Sequence, residues 1–101
     1  MNKEMLEDVY QLLGSYWYDR EDDDIAIVNE FVRENPPQVV ERYINSVKQF
    51  IDLPEPIQVK SDFVRKTAWR YFPQDVEAPI KWLKDILSLL EKSSIDQGKE
   101  T

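Results

Sequence analysis

Pro37-Gln38-Val39-Val40-Glu41-Arg42-Tyr43-Ile44-Asn45-Ser46-Val47-Lys48-Gln49-Phe50-Ile51 is the stretch that decides the fold class. Val39, Val40, Tyr43, Ile44, Val47, Phe50 and Ile51 recur at three- and four-residue steps, which puts them on one face of a helix. Pro37 suits the first turn, where its missing N–H would have had no helical partner. Leu53-Pro54-Glu55-Pro56 ends the pattern, because proline removes a donor and crowds the preceding turn.

Upstream, Met5, Leu6, Val9, Leu12, Leu13 and Tyr16 form a second such stripe, with Gly14 expected just past its end. The segment Ser15-Tyr16-Trp17-Tyr18 then leads into Asp19-Arg20-Glu21-Asp22-Asp23-Asp24. Asp24 is the expected N-cap of a helix that carries Ile25, Val28, Phe31 and Val32 inward and stops near Asn35 before Pro36-Pro37. Downstream, Ile57-Gln58-Val59 alternates but is too short and proline-bound for a strand. Ser61 is the expected cap of a fourth helix that buries Phe63, Val64, Ala68, Trp69 and Phe72 and breaks at Pro73. A fifth helix opens between Asp75 and Pro79 and runs to about Lys92, with Ile80, Leu83, Ile86, Leu87 and Leu90 inward and Trp82 and Leu89 widening the stripe. Five helical patterns, two glycines and no Asn-Gly or Asp-Gly hairpin signal predict an all-α single domain, a compact bundle or array over residues 1–92, with 93–101 as a disordered tail.

The composition narrows the function classes. The chain has no cysteine and no histidine, which removes disulfides, thiolate nucleophiles, the commonest metal ligands and the commonest general base. Ser15, Ser46, Ser61 and Ser88 therefore lack a histidine partner, and no glycine-rich phosphate loop exists. No enzyme activity, cofactor or metal is expected. Asp19, Glu21, Asp23 and Glu30 match positions 1, 3, 5 and 12 of a calcium-loop spacing, but Asp24 stands where the template needs glycine. The acidic pair Asp22 and Glu30 has nothing in the sequence to desolvate one member for acid–base work. With no apolar signal core and no membrane-length apolar run, a cytoplasmic site without membrane contact is expected.

Charge is unevenly spread. The net charge is −7. Residues 1–41 hold 11 acids and 3 bases, a balance of −8, and residues 42–101 hold 9 acids and 10 bases, a balance of +1. Such a surface repels phosphate backbones, so direct nucleic-acid binding is not expected, even with the basic strip Lys60, Arg65, Lys66 and Arg70. Aromatic anchors beside dense charge instead suggest a protein-binding surface. Tyr16, Trp17 and Tyr18 are the expected anchors, flanked by Asp19, Glu21, Asp22, Asp23 and Asp24; the phase of Tyr16 also fits burial. On these residues alone, the chain reads as an acidic helical adaptor for a basic partner.

Two segments add a resemblance. Leu12-Leu13-Gly14-Ser15-Tyr16-Trp17 with its acidic turn, then Val28-Asn29-Glu30-Phe31, resembles the opening of the immunity proteins of contact-dependent growth inhibition systems. Pro79-Ile80-Lys81-Trp82-Leu83-Lys84-Asp85-Ile86-Leu87 resembles that family's closing Trp-Leu helix, and the likeness runs from Leu6 to Leu90. Tyr16-Trp17-Tyr18-Asp19-Arg20 stands where family members often read Tyr-aromatic-His-Gln-Asp, so no role tied to that histidine carries over, and Leu53 to Ser61 has no counterpart. The resemblance implies a 1:1 complex with the toxic C-terminal domain of a large exported protein. That domain is often a basic nuclease, with an RNase favoured.

Overall fold

The computed structural model describes residues 3–18, 20, 22–69, 72 and 74–98. It is all-α, with α1 at Lys3–Tyr16, α2 at Asp24–Glu34, α3 at Pro37–Ile51, α4 at Ile57–Ala68 and α5 at Ala78–Asp96. The least extent is 18 Å, about two helix diameters, so the array is two helices deep. α3 forms where its stripe predicts, starting at Pro37 and burying Val40, Ile44, Val47 and Phe50. α1 packs chiefly on α3, and α5 lies against α2, α3 and α4. One core results, shared by all five helices, with Val9, Leu12 and Leu13 meeting Phe31, Val47, Val64, Leu83 and Ile86.

Several boundaries differ from the sequence expectation, each for a local reason. Gly14 lies inside α1, where the apolar phase carries the helix on to Tyr16. The N-cap of α2 is Asp23, whose carboxylate accepts from the Ile25 backbone N–H at 3.1 Å, and Asp24 is the first helical residue. The buried face is Ile27, Val28, Phe31 and Val32, and Ile25, in the first turn at the margin of that face, is exposed where burial was expected. α4 begins at Ile57, directly after Pro56, so Ser61 is not its cap. Ser61 is instead fully buried, and its hydroxyl donates to the Val76 carbonyl, tying the α4–α5 connection to α4. α4 also ends before Pro73, at Ala68, because Trp69 turns into the left-handed region (φ 51°, ψ 47°).

The end of α5 is the remaining correction. The helix continues past Lys92 to Asp96, with Ser93 and Ser94 buried. Ser93 donates to the Asn29 side chain at 2.7 Å and Gln97 to the Asn29 carbonyl at 3.2 Å, so these residues join α5 to α2 and do not form a tail. Residues 99–101 of the expected tail lie outside the described residues.

Candidate functional site

The loop from α1 to α2 splits the expected binding residues by role. Trp17 is fully buried, contrary to its expected place as a surface anchor. The turn after α1 folds it back, with the Trp17 and Tyr18 backbone N–H groups both donating to the Leu13 carbonyl. The indole then meets the half-buried Trp82 ring edge to face at 5.7 Å, and Phe72 flanks Trp82 from 5.5 Å. Both indole N–H groups need an acceptor in this setting. Asp24 supplies it, one oxygen taking Trp17 at 3.0 Å and the other taking Trp82 at 2.9 Å. Asp24 is thus an internal staple between the loop and α5, placed where the positive end of α2 favours its charge.

Tyr16 is half-buried, its ring edge-on to Phe31 at 5.1 Å. Its hydroxyl donates to Glu34 at 3.0 Å and accepts from Asn35 at 3.2 Å. Burial, reinforced by the neighbouring carboxylates of Glu34 and Glu30 against the opposing Asn35 bond, raises its pKa. Asp22 and Glu30 converge on one guanidinium, because Arg20 reaches Asp22 at 2.7 Å and Glu30 at 2.7 Å. The loop is therefore partly neutralised from within. Asp22 and Asp23 remain exposed, and Tyr18 is 51% exposed. Asp19 and Glu21 lie outside the described residues. Of the calcium-spaced acids that are described, Asp23 caps α2 and Glu30 holds Arg20.

A family model for CdiI immunity protein matches residues 5–90. The chain belongs to that family. No curated protein and no solved structure matches it. As a CdiI immunity protein it has a cognate toxin as its partner and neutralises it, which decides between the two sequence-level readings in favour of immunity over a general adaptor.

Outside the loop, this CdiI immunity protein places an aromatic residue where the periodicity did not. Trp69, expected inside the core, is 61% exposed, and its ring lies 5.7 Å from Tyr18 at 32°. Beside this ring pair, Tyr18 lines a groove of about 400 Å³ between α1 and α4 together with Tyr10, Gln11, Gly14, Ser15, Lys66 and Thr67, and Trp69 lies outside that lining. The sequence offered no cue to this, since Trp69 sits in phase with Phe63, Val64, Ala68 and Phe72 for as long as the helix is assumed to continue. The basic strip is also divided: Lys60 donates to the carbonyls of Ile51 and Leu53 and closes the end of α3, Lys66 is exposed, and Arg70 lies outside the described residues. A second polar cluster joins α1 to α3. The buried Asp8 carboxylate accepts from the Arg42 guanidinium through two N–H groups and from the Ser46 hydroxyl at 2.7 Å. Burial alone would raise the Asp8 pKa, but the bonds and charge of Arg42 and the Ser46 bond outweigh it and hold it below the ordinary aspartate value.

Proposed function

We propose that this chain acts in the cytoplasm and neutralises a basic nuclease toxin, an RNase being favoured, as a 1:1 complex seated on the acidic α1–α2 side. The observation that carries the proposal is the charge balance of −8 in residues 1–41 against +1 in the remainder. A nuclease must present positive potential to hold its polyanionic substrate, and an acidic surface is complementary to it. Such complementarity raises association rates above the ~10⁵–10⁶ M⁻¹s⁻¹ of uncharged pairs, and a toxin captured sooner does less damage.

The test uses Asp22→Asn with Asp23→Asn. Asparagine caps a helix about as well as aspartate, so the double variant keeps the fold while removing two exposed charges. Stopped-flow mixing with the cognate toxin domain should give slower association and a flatter dependence on salt than the parent. Equal rates and equal salt slopes would remove the steering role of these acids. Degradation of RNA by the free toxin, and its loss at one equivalent of this protein, checks the nuclease class and the stoichiometry.

A further inference from the structure

We propose that Trp17, Asp24 and Trp82 form a latch that presets the α1–α2 loop for the toxin, which makes Trp82, on α5, a positioning residue for binding. The proposal rests on the reading that the toxin docks on the α1–α2 side, and it adds what holds that side ready. Tyr18, Asp22 and Asp23, the exposed described residues of the loop, lie between Trp17 and Asp24. The Trp17 indole N–H donates to one Asp24 oxygen at 3.0 Å, so the two ends of the loop are bonded to each other. The Trp82 indole N–H donates to the other oxygen at 2.9 Å, and its ring meets that of Trp17 edge to face at 5.7 Å. Both loop ends are thereby fixed to α5, 58 residues beyond Asp24 in the chain.

The backbone at each end of the loop depends on the same residues. The Trp17 and Tyr18 N–H groups donate to the Leu13 carbonyl, and the Arg20 N–H donates to the Trp17 carbonyl at 3.1 Å. At the other end, Asp23 caps α2 and its carbonyl accepts the Ile27 N–H at 3.0 Å, so Asp22 and Asp23 sit where Asp24 is held. α1 and α2 are each seated in the core by their own apolar stripes. The two bonds to Asp24 therefore act on the segment between the helices. A loop whose ends are joined has fewer conformations left to lose when a partner orders it. A partner that must meet Tyr18, Asp22 and Asp23 together gains from that order, since a loop competent only part of the time binds with its affinity lowered by that fraction.

Trp82→Phe tests the latch without changing charge, because it keeps a ring against Trp17 and removes the N–H to Asp24. In the free full-length variant, the backbone amides of Tyr18 and Arg20 should exchange with deuterium faster than in the parent. Stopped-flow mixing with the cognate toxin domain, well below the melting range, should show association slowed at least about threefold, with dissociation and salt slope kept. Asp24→Asn, which offers one acceptor oxygen to two donors, should slow association likewise at high salt, where its lost charge matters less. Ile44→Val, a core change on α3, should lower the melting temperature and leave association unchanged, which separates loop order from general stability. Faster exchange with association at the parent rate leaves only a structural tie and overturns the proposal. Unchanged exchange also overturns it, because the second bond then does not hold the loop, and so does equal slowing by Ile44→Val. The acidic reading fails separately: parent association that ignores salt removes it, and slowing by Trp82→Phe under that result keeps the latch. A complex in which Tyr18, Asp22 and Asp23 stay as accessible as in the free protein overturns both.

Discussion

Two indole N–H groups and one carboxylate hold the α1–α2 loop to α5, and single substitutions separate that frame from the exposed acids beside it. Asp24→Ala leaves two donors without their acceptor and should cost about 2–6 kcal/mol of stability by urea unfolding, from a cost of about 1–3 kcal/mol for each stranded group. Trp17→Ala should cost about 3–5 kcal/mol, as an emptied aromatic core site does. Losses below 0.5 kcal/mol at both positions, on the scale typical of surface changes, would mean that neither residue bears on the frame. Asp8 adds a pH-dependent contribution of known sign. Its folded pKa is depressed, so its contribution is present above the unfolded aspartate value near ~3.9 and is lost as pH falls through the lower folded value. Asp8→Asn should therefore be less stable than the parent at pH 7, with the gap closing below about pH 4; a gap that stays constant in urea titrations across that range would exclude the linkage.

At the scale of elements, periodicity was enough to place the helices, because each must hide an apolar stripe and the prolines bound three of them. Faces and ends were less legible. Ile25 lies at the margin of the α2 face and is exposed while Ile27 is buried, and a single left-handed residue took Trp69 out of the core. The continuation of α5 was hidden because Ser93 and Ser94 are polar, and their burial makes sense only once Asn29 is seen opposite. The same blindness applies to the binding residues. Adjacent letters in Tyr16-Trp17-Tyr18 look alike, yet a turn sends them to a half-buried, a buried and an exposed position. Two changes test the elements. Gly14→Ala, inside α1 with open space above it, should raise stability by about 0.5–1 kcal/mol in thermal or urea unfolding, and no gain would mean that α1 frays before this point. Truncation after Lys92 removes the Ser93 and Gln97 bonds to Asn29 and should cost about 1–3 kcal/mol; an unchanged melting temperature would return these residues to the status of a tail.

For the whole molecule, one core touched by every helix implies one cooperative transition. Far-ultraviolet circular dichroism, which follows the helices, should melt together with tryptophan emission in a Trp69→Phe background, where it follows only Trp17 of the loop and Trp82 of α5. Separate midpoints would show that the Trp17–Asp24–Trp82 region unfolds as its own unit. Charge is the other whole-molecule property, and the sequence disclosed it fully, because net charge by segment needs no coordinates. How much of it stays free for a partner was not disclosed. Arg20 sits between Asp22 and Glu30, and Asp24 is consumed internally, so the available acidity is smaller than the letters suggest.

The loop also bears on how such a protein exchanges one adversary for another. Its inward residues, Trp17 and Asp24, keep the shape, while the side chains of Tyr18 and Asp22 between them face outward, touching Trp69 and Arg20 respectively. On the proposed reading, recognition and architecture are interleaved along a few consecutive positions, so a change of target at the outward ones leaves the two indole bonds to Asp24 in place.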